Sequence, residues 1–142
     1  MTGVAVTLVL YISGSFGISI VLVKKNPIKY NLDMNKQNEY IFVITTVPDE
    51  KTAEMVARQV TENRLAACVS VSSPIRSFYW WEQKITQDKE FMLFIKTGAD
   101  LYPALEEKIK EIHPYQVPEI IALPIIQGLS SYLQWIDRET NK

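Results

Sequence analysis

The sequence has a single cysteine and a single histidine in 142 residues. One thiol, Cys68, leaves no internal disulfide framework, so nothing in cysteine usage points to an oxidising compartment. One histidine cannot by itself build a metal site. There is no Gly-rich phosphate loop, no Cys-x-x-Cys, no His-Glu-x-x-His and no Asn-x-Ser/Thr acceptor. Charge is balanced as well: 15 basic against 16 acidic residues, a formal net charge of -1, and no basic stripe. Nucleic-acid binding is therefore not expected. The length fits one domain with an extension.

Charge is also missing from Val4 to Val23, and Lys24 and Lys25 come immediately after. As a helix this stretch would be about 30 Å long, enough for a hydrocarbon core. Residues 1–25 thus read as a hydrophobic segment with three alternatives. A membrane anchor would leave the downstream domain on the cytoplasmic side, because of the two lysines. A secretory signal fits less well, since the start carries no basic side chain and Ser19-Ile20-Val21-Leu22-Val23 is a poor cleavage context. In the third reading translation begins at Met34 and gives a cytoplasmic product. Residues 26–39, rich in Asn and Lys, read as a linker, and residues 40–142 as the folded domain.

Within that domain, Tyr40 to Thr46 is apolar and β-branched and reads as a strand buried on both faces. Asp49 is a helix N-cap, and Ala53, Val56, Ala57 and Val60 make an apolar helical face. Ala66 to Val71 reads as a second strand, interrupted at Ser73-Pro74. Strand character resumes over Ile75 to Trp81, with a hairpin tip at Glu82-Gln83-Lys84 and a third strand over Phe91 to Thr97. Asp100 caps a second helix with the stripe Leu101, Leu105, Ile109 and Ile112. Ile120 to Ile126 is a fourth strand, with Pro124 marking an edge or bulge. Ser130 opens a last helix with Leu133 and Ile136 inward. The order predicts an α+β, ferredoxin-like βαββαβ sandwich with an extra C-terminal helix. Two helices on one face leave the other sheet face open and apolar, which implies burial in a closed cyclic oligomer. Four successive aromatics, Phe78 to Trp81, must present some rings outward and suggest a partner surface.

The run His113-Pro114-Tyr115-Gln116-Val117-Pro118-Glu119 stands where the second helix gives way to the last strand. Two prolines fix its backbone. His113 is the first candidate for proton or metal chemistry, with two readings: a metal ligand, or a helix terminator bonded to a backbone carbonyl. His113 with Glu119 offers nitrogen and oxygen to a divalent ion; imidazole suits copper, zinc or nickel. Tyr79, Trp81, Lys96 and Tyr115 join them in a polar pocket expected between subunits. Trp135 belongs there too, though plain interface packing suits it better. Cys68, between Ala67 and Val69, is expected to be a buried structural thiol. No nucleophile is matched to His113 as base, so no catalytic residue is assigned and an enzyme is not expected.

Several motifs resemble one family in order: Arg64-Leu65-Ala66-Ala67-Cys68-Val69, Ser77-x-Tyr79-x-Trp81-Glu82, Ile95-Lys96-Thr97, His113-Pro114-Tyr115-x-x-Pro118-Glu119-Ile120 and Tyr132-Leu133-x-Trp135-Ile136. Together they resemble the divalent-cation-tolerance CutA family, from about Tyr40 to Ile136. The resemblance implies a ferredoxin-like homotrimer akin to the PII signalling proteins. It implies a role in tolerance of divalent metals, with copper(II) or another divalent ion as ligand and the HPY histidine, here His113, at the metal. Some relatives have cysteine at the end of the first strand, where this chain has Thr45 and Thr46. Animal relatives often carry a hydrophobic amino-terminal extension and are associated with acetylcholinesterase processing or anchoring. That implies an alternative role as a scaffold for a protein partner, with membrane association through residues 4–23.

Overall fold

The computed structural model describes the backbone of residues 7–12 and 18–23, and residues 39–140 in full. Of the expected linker 26–39, residues 26–38, Met34 among them, lie outside the described residues. The chain divides into two compact units, residues 1–36 and 37–142. In the first, β1 (Thr7–Ile12) pairs antiparallel with β2 (Ile18–Val23), in register from Thr7 opposite Val23 to Ile12 opposite Ile18. The expected spanning helix is thus replaced here by two strands. Among the described residues no helix is long and apolar enough to cross a membrane.

The second unit has the order β3 (Tyr40–Val47), α1 (Glu50–Glu62), β4 (Cys68–Val71), β5 (Ile75–Trp81), β6 (Lys84–Gly98), α2 (Tyr102–Ile112), β7 (Ile121–Pro124) and α3 (Ser130–Thr140). It is an α+β fold with an antiparallel sheet in the order β4-β6-β3-β7, and β5 pairs with β6 beyond β4. Directly opposed residues share a face, so the register sorts the sheet into two sides. Ile41, Val43 and Val47 of β3 and Leu93 and Ile95 of β6 lie beneath the helices. With Ala53, Val56 and Val60 of α1 and Leu105 and Ile109 of α2 they form one buried core. Phe42 and Ile44, opposite Lys96 and Phe94, lie on the other side.

Local chemistry sets most boundaries. Asp49 caps α1 by accepting the Thr52 N–H at 2.7 Å, which also holds its carboxyl below the usual range. Arg64, at φ 59°, takes the left-handed turn after the helix, and Leu65 N–H donates back to the Val60 carbonyl at 2.9 Å. Pro74 separates β4 from β5, yet both pair with β6, so Ser73-Pro74 is a break in one edge run. Glu82 and Gln83, both at positive φ, form the two-residue tip.

Two expectations need correction. Asp100 does not cap α2: it lies within a 3-10 turn, Ala99–Leu101, and the residue before the helix is Leu101, which makes no side-chain cap. Strand β6 begins at Lys84, not Phe91, and runs 15 residues, about 50 Å. Its polar first half persists as strand because β5 pairs with it throughout, from Trp81 opposite Lys84 to Ile75 opposite Glu90.

Candidate functional site

The residues singled out in the sequence fall into two groups within one subunit. Tyr79 and Tyr115 stand beside Asp88 and Glu90. Lys96 lies eight positions further along β6 than Asp88, about 26 Å away. One subunit therefore does not bring Tyr79 and Lys96 into a common pocket.

The first group is built on the alternation of β6, which puts Thr86, Asp88 and Glu90 on one side of the strand. Tyr79, opposite Thr86, donates its hydroxyl to Asp88 Oδ2. That bond raises the Tyr79 phenol above its ordinary value, with smaller contributions from burial and from the charges of Asp88 and Glu90. Tyr115 donates its hydroxyl to Glu90 Oε1 at 3.1 Å. Its phenol is pushed up to about 12, by burial first, then by the bond to Glu90 and the nearby negative charge. Glu90 itself is 5% exposed.

His113 is the C-cap of α2 and is 8% exposed. Its extended backbone, φ -78° and ψ 135°, is what a residue before proline prefers. The ring Nε2 lies 2.8 Å from the Thr46 carbonyl oxygen, and the Tyr115 N–H donates to Nδ1 at 3.1 Å. Burial holds the imidazole below its ordinary value, while the Thr46 carbonyl and the Glu90 charge pull the other way. The carboxylate that bears on His113 is therefore Glu90; Glu119 is exposed. Sequence reasoning missed Glu90, Asp88 and Thr46. The spacing of two in Thr86-x-Asp88-x-Glu90, read as a strand continuing from the tip, is the signal that reveals the carboxylates.

The second group lies where β4 pairs with the end of β6. Lys96 Nζ donates to Ser70 Oγ at 2.7 Å, lies 3.7 Å from Cys68 Sγ, and sits 5.7 Å from the centroid of the Phe42 ring. The expectation of a buried Cys68 is corrected: it is only part-buried. The register opposes it to Lys96, which sends its side chain to the side the two helices leave open. Tyr132 of α3 approaches Cys68, and its phenol is raised by burial and by the thiol. Trp135 stacks on Tyr132 at 5.4 Å and lines a groove of about 360 Å³ with Arg64 and Glu139. Trp81, 51% exposed, lies at the far end of the β5–β6 arm. A separate cleft of about 880 Å³ involves none of the expected residues; there Tyr40 donates to Asp137 at 2.6 Å, and its phenol is raised to about 12 by that bond first.

A metal centre does not fit these residues within one subunit. Both ring nitrogens of His113 are engaged. Among the described residues no group of three or more His, Cys, Asp or Glu side chains converges as ligands.

An antiparallel α+β domain with α1 and α2 over one sheet face, part-exposed apolar residues on the other and a long aromatic arm defines the class of small domain to which this fold belongs. The chain belongs to the CutA1 divalent ion tolerance family, whose model matches residues 41–139. The divalent-cation tolerance protein CutA of Thermus thermophilus is 43% identical over 98 residues, 69% of this chain and 95% of that protein. Protein CutA of Homo sapiens is 48% identical over 95 residues, 67% of this chain; the chain spans 53% of the human protein's length. The solved structure of the Archaeoglobus fulgidus periplasmic divalent cation tolerance protein CutA matches with a TM-score of 0.70 at 38% identity, over 72% of this chain and 99% of that one. CutA1 from Oryza sativa matches with a TM-score of 0.71 at 41% identity, over 75% and 99%.

Proposed function

We propose that this chain is the subunit of a homotrimer that serves divalent-cation tolerance without catalytic turnover. The supporting observation is the apolar surface a single subunit leaves wet. Phe42, Ile44 and Phe94 are only part-buried on the open side, Ile121 and Leu123 of β7 are 48% and 46% exposed, and Phe78 and Trp80 of the arm are 62% and 71% exposed. Large apolar side chains left exposed in this way mark interaction surfaces. The strand order β7-β3-β6-β4 is read as the ferredoxin-like split βαβ arrangement, closed three-fold in the PII-like manner.

In such a trimer the pocket is composite: the Tyr79 and Tyr115 end of one subunit meets the Lys96 end of the next, with Trp81 and Trp135 at its walls. Copper(II) or another divalent ion is then a guest of the assembled surface, and the exposed Glu119 is free to meet it there. Light scattering after gel filtration of the full chain in mild detergent tests the assembly. Three times the 16.3 kDa subunit mass is expected; a folded single subunit at micromolar concentration sinks the reading. Copper calorimetry on the same sample tests the ligand, and absence of binding heat removes copper from the proposal.

The uncharged stretch Val4–Val23 favours a second reading. The trimer would act as a scaffold that helps localise or mature a membrane-associated partner enzyme, such as acetylcholinesterase. Deleting residues 1–38 should then move the protein from the membrane fraction to the soluble one, with three domains still in each assembly. Loss of the trimer on deletion would contradict it.

A further inference from the structure

The Thr46 carbonyl can only accept, so the Nε2 of His113 carries the proton and donates to it. The Tyr115 backbone N–H can only donate, so Nδ1 presents its lone pair. The two contacts together select the neutral Nε2–H tautomer. A metal ion needs a ring lone pair, and the one this tautomer offers is already used by the Tyr115 N–H. The residues and the metal that the family suggests therefore disagree at this position.

We propose that His113 is a proton-operated latch for the segment 113–119 and not a metal ligand. A proton from solvent taken up at Nδ1 turns the acceptor into a donor. Two N–H groups then oppose each other across 3.1 Å, the Tyr115 N–H loses its partner, and the segment beyond His113 swings away from β6 while the ring stays tied to β3. No other bond needs to form. The Nε2–H bond to Thr46 survives the change, since Nε2 donates in either state.

The surroundings define how easily the latch opens. Thr46 on β3 presents a carbonyl, which favours the charged ring. Glu90 on β6 presents a carboxylate, which favours it too. The phenol of Tyr115 is bonded to Glu90, with its ring centroid 5.2 Å from the imidazole. Beyond it lie Asp88 and Tyr79, bonded to each other. On α2, Lys110 is the basic residue of the last turn. Burial opposes the charged ring and is the largest of these influences, so the latch stays shut near neutrality and opens in mild acid. Opening breaks the Tyr115 bond to Glu90 and uncovers a carboxylate that is 5% exposed when shut.

Amide hydrogen exchange on the full chain, followed by mass spectrometry and corrected for the intrinsic pH dependence, tests this. Between about pH 7.5 and 5, protection of the fragment spanning 113–119 should fall about tenfold, while fragments of α1 and β3 hold. In His113→Asn the amide keeps one donor and one acceptor but cannot ionise, so the fragment's protection should no longer respond to acid. Equal protection at both pH values in the parent, or the same acid loss in H113N, overturns the proposal. If H113N fails to fold, the imidazole nitrogen shifts of the parent decide. An Nε2–H tautomer whose titration tracks the loss of protection is expected. An Nδ1–H tautomer, or a stoichiometric shift of the ring on adding copper(II) at neutral pH, overturns it.

Discussion

The two sides of strand β6 obey different rules. Beneath the helices, Leu93, Ile95 and Thr97 are fully buried. On the other side, Phe94 and Lys96 are only part-covered, and Asp88 and Glu90 hold tyrosine hydroxyls. One strand thus carries both a finished core and an unfinished surface. The helix side explains why the domain folds; the open side is what the proposed assembly would cover. The largest test of this contrast is Ile95→Ala. It empties a site with 0% exposure in the core and should cost about 3 to 4 kcal/mol of unfolding free energy, read from the denaturant midpoint. A cost near zero would mean that the helices do not seal that side.

Next in size is His113→Ala, which leaves the Thr46 carbonyl and the Tyr115 N–H without their partner and should cost about 2 kcal/mol. The parent should also show a pH signature that this variant lacks. Burial lowers the folded-state pKa of the imidazole below its unfolded value near 6.5, so the unfolded chain binds more protons in that window. His113 therefore contributes stability that is fully present above the unfolded value and is lost as pH falls toward and through the lowered folded one. Chemical denaturation at a series of pH values checks the sign: parent stability should drop in mild acid by more than that of the alanine variant.

How far this was legible in the sequence differs between the two sides. Helix-side residues announce themselves, because Ala53, Val56 and Val60 recur at helical spacing and strands β3 and β6 carry unbroken apolar runs. The boundaries of β3, α1 and β5 arise from Asp49, Pro74 and the two-residue tip. The first half of β6 was hidden: Lys84 to Glu90 is mostly polar, and only pairing with β5 makes it a strand. That concealed Asp88 and Glu90, so Glu119, close to His113 in the chain, took the place that belongs to Glu90 in space. Lys96 and Tyr79 were pooled for a similar reason, since sequence order says nothing of the 26 Å or so that an extended strand puts between them. His113 was legible as special from its prolines, but its role depends on Thr46, 67 residues away.

Two threonines of the helix side sharpen the contrast at about 1 kcal/mol. Thr97, 0% exposed, donates its hydroxyl to the Leu65 carbonyl at 2.7 Å. Thr45, also 0% exposed, has a hydroxyl with no hydrogen-bond partner among the described residues. Valine has nearly the same shape. Thr97→Val should lower stability by about 1 kcal/mol, and Thr45→Val should raise it by about the same, because it removes a buried polar group that gains nothing. Equal effects of the same sign, measured by thermal or chemical unfolding, would show that the two hydroxyls sit in equivalent surroundings after all.

The smallest effect on a subunit should come from Leu123→Arg, and it bears most directly on the open side. Leu123 opposes Phe42 across β7 and β3 and is 46% exposed, so the arginine head can reach water and the subunit should change by no more than about 0.5 kcal/mol. In an assembly that covers this side, the same arginine is a buried charge without a partner, and the cost rises to several kcal/mol per subunit. Light scattering should then give the mass of one subunit, with a circular-dichroism spectrum unchanged from the parent. An unaltered assembly would place the covered surface elsewhere, on the arm that carries Phe78 and Trp80 or on neither, and the open side of β6 would have to be explained as the resting state of a lone subunit. The substitution discriminates because its two costs differ in kind: a packing change in the isolated subunit is local and tolerable, whereas a charge enclosed by neighbours has no route to solvent.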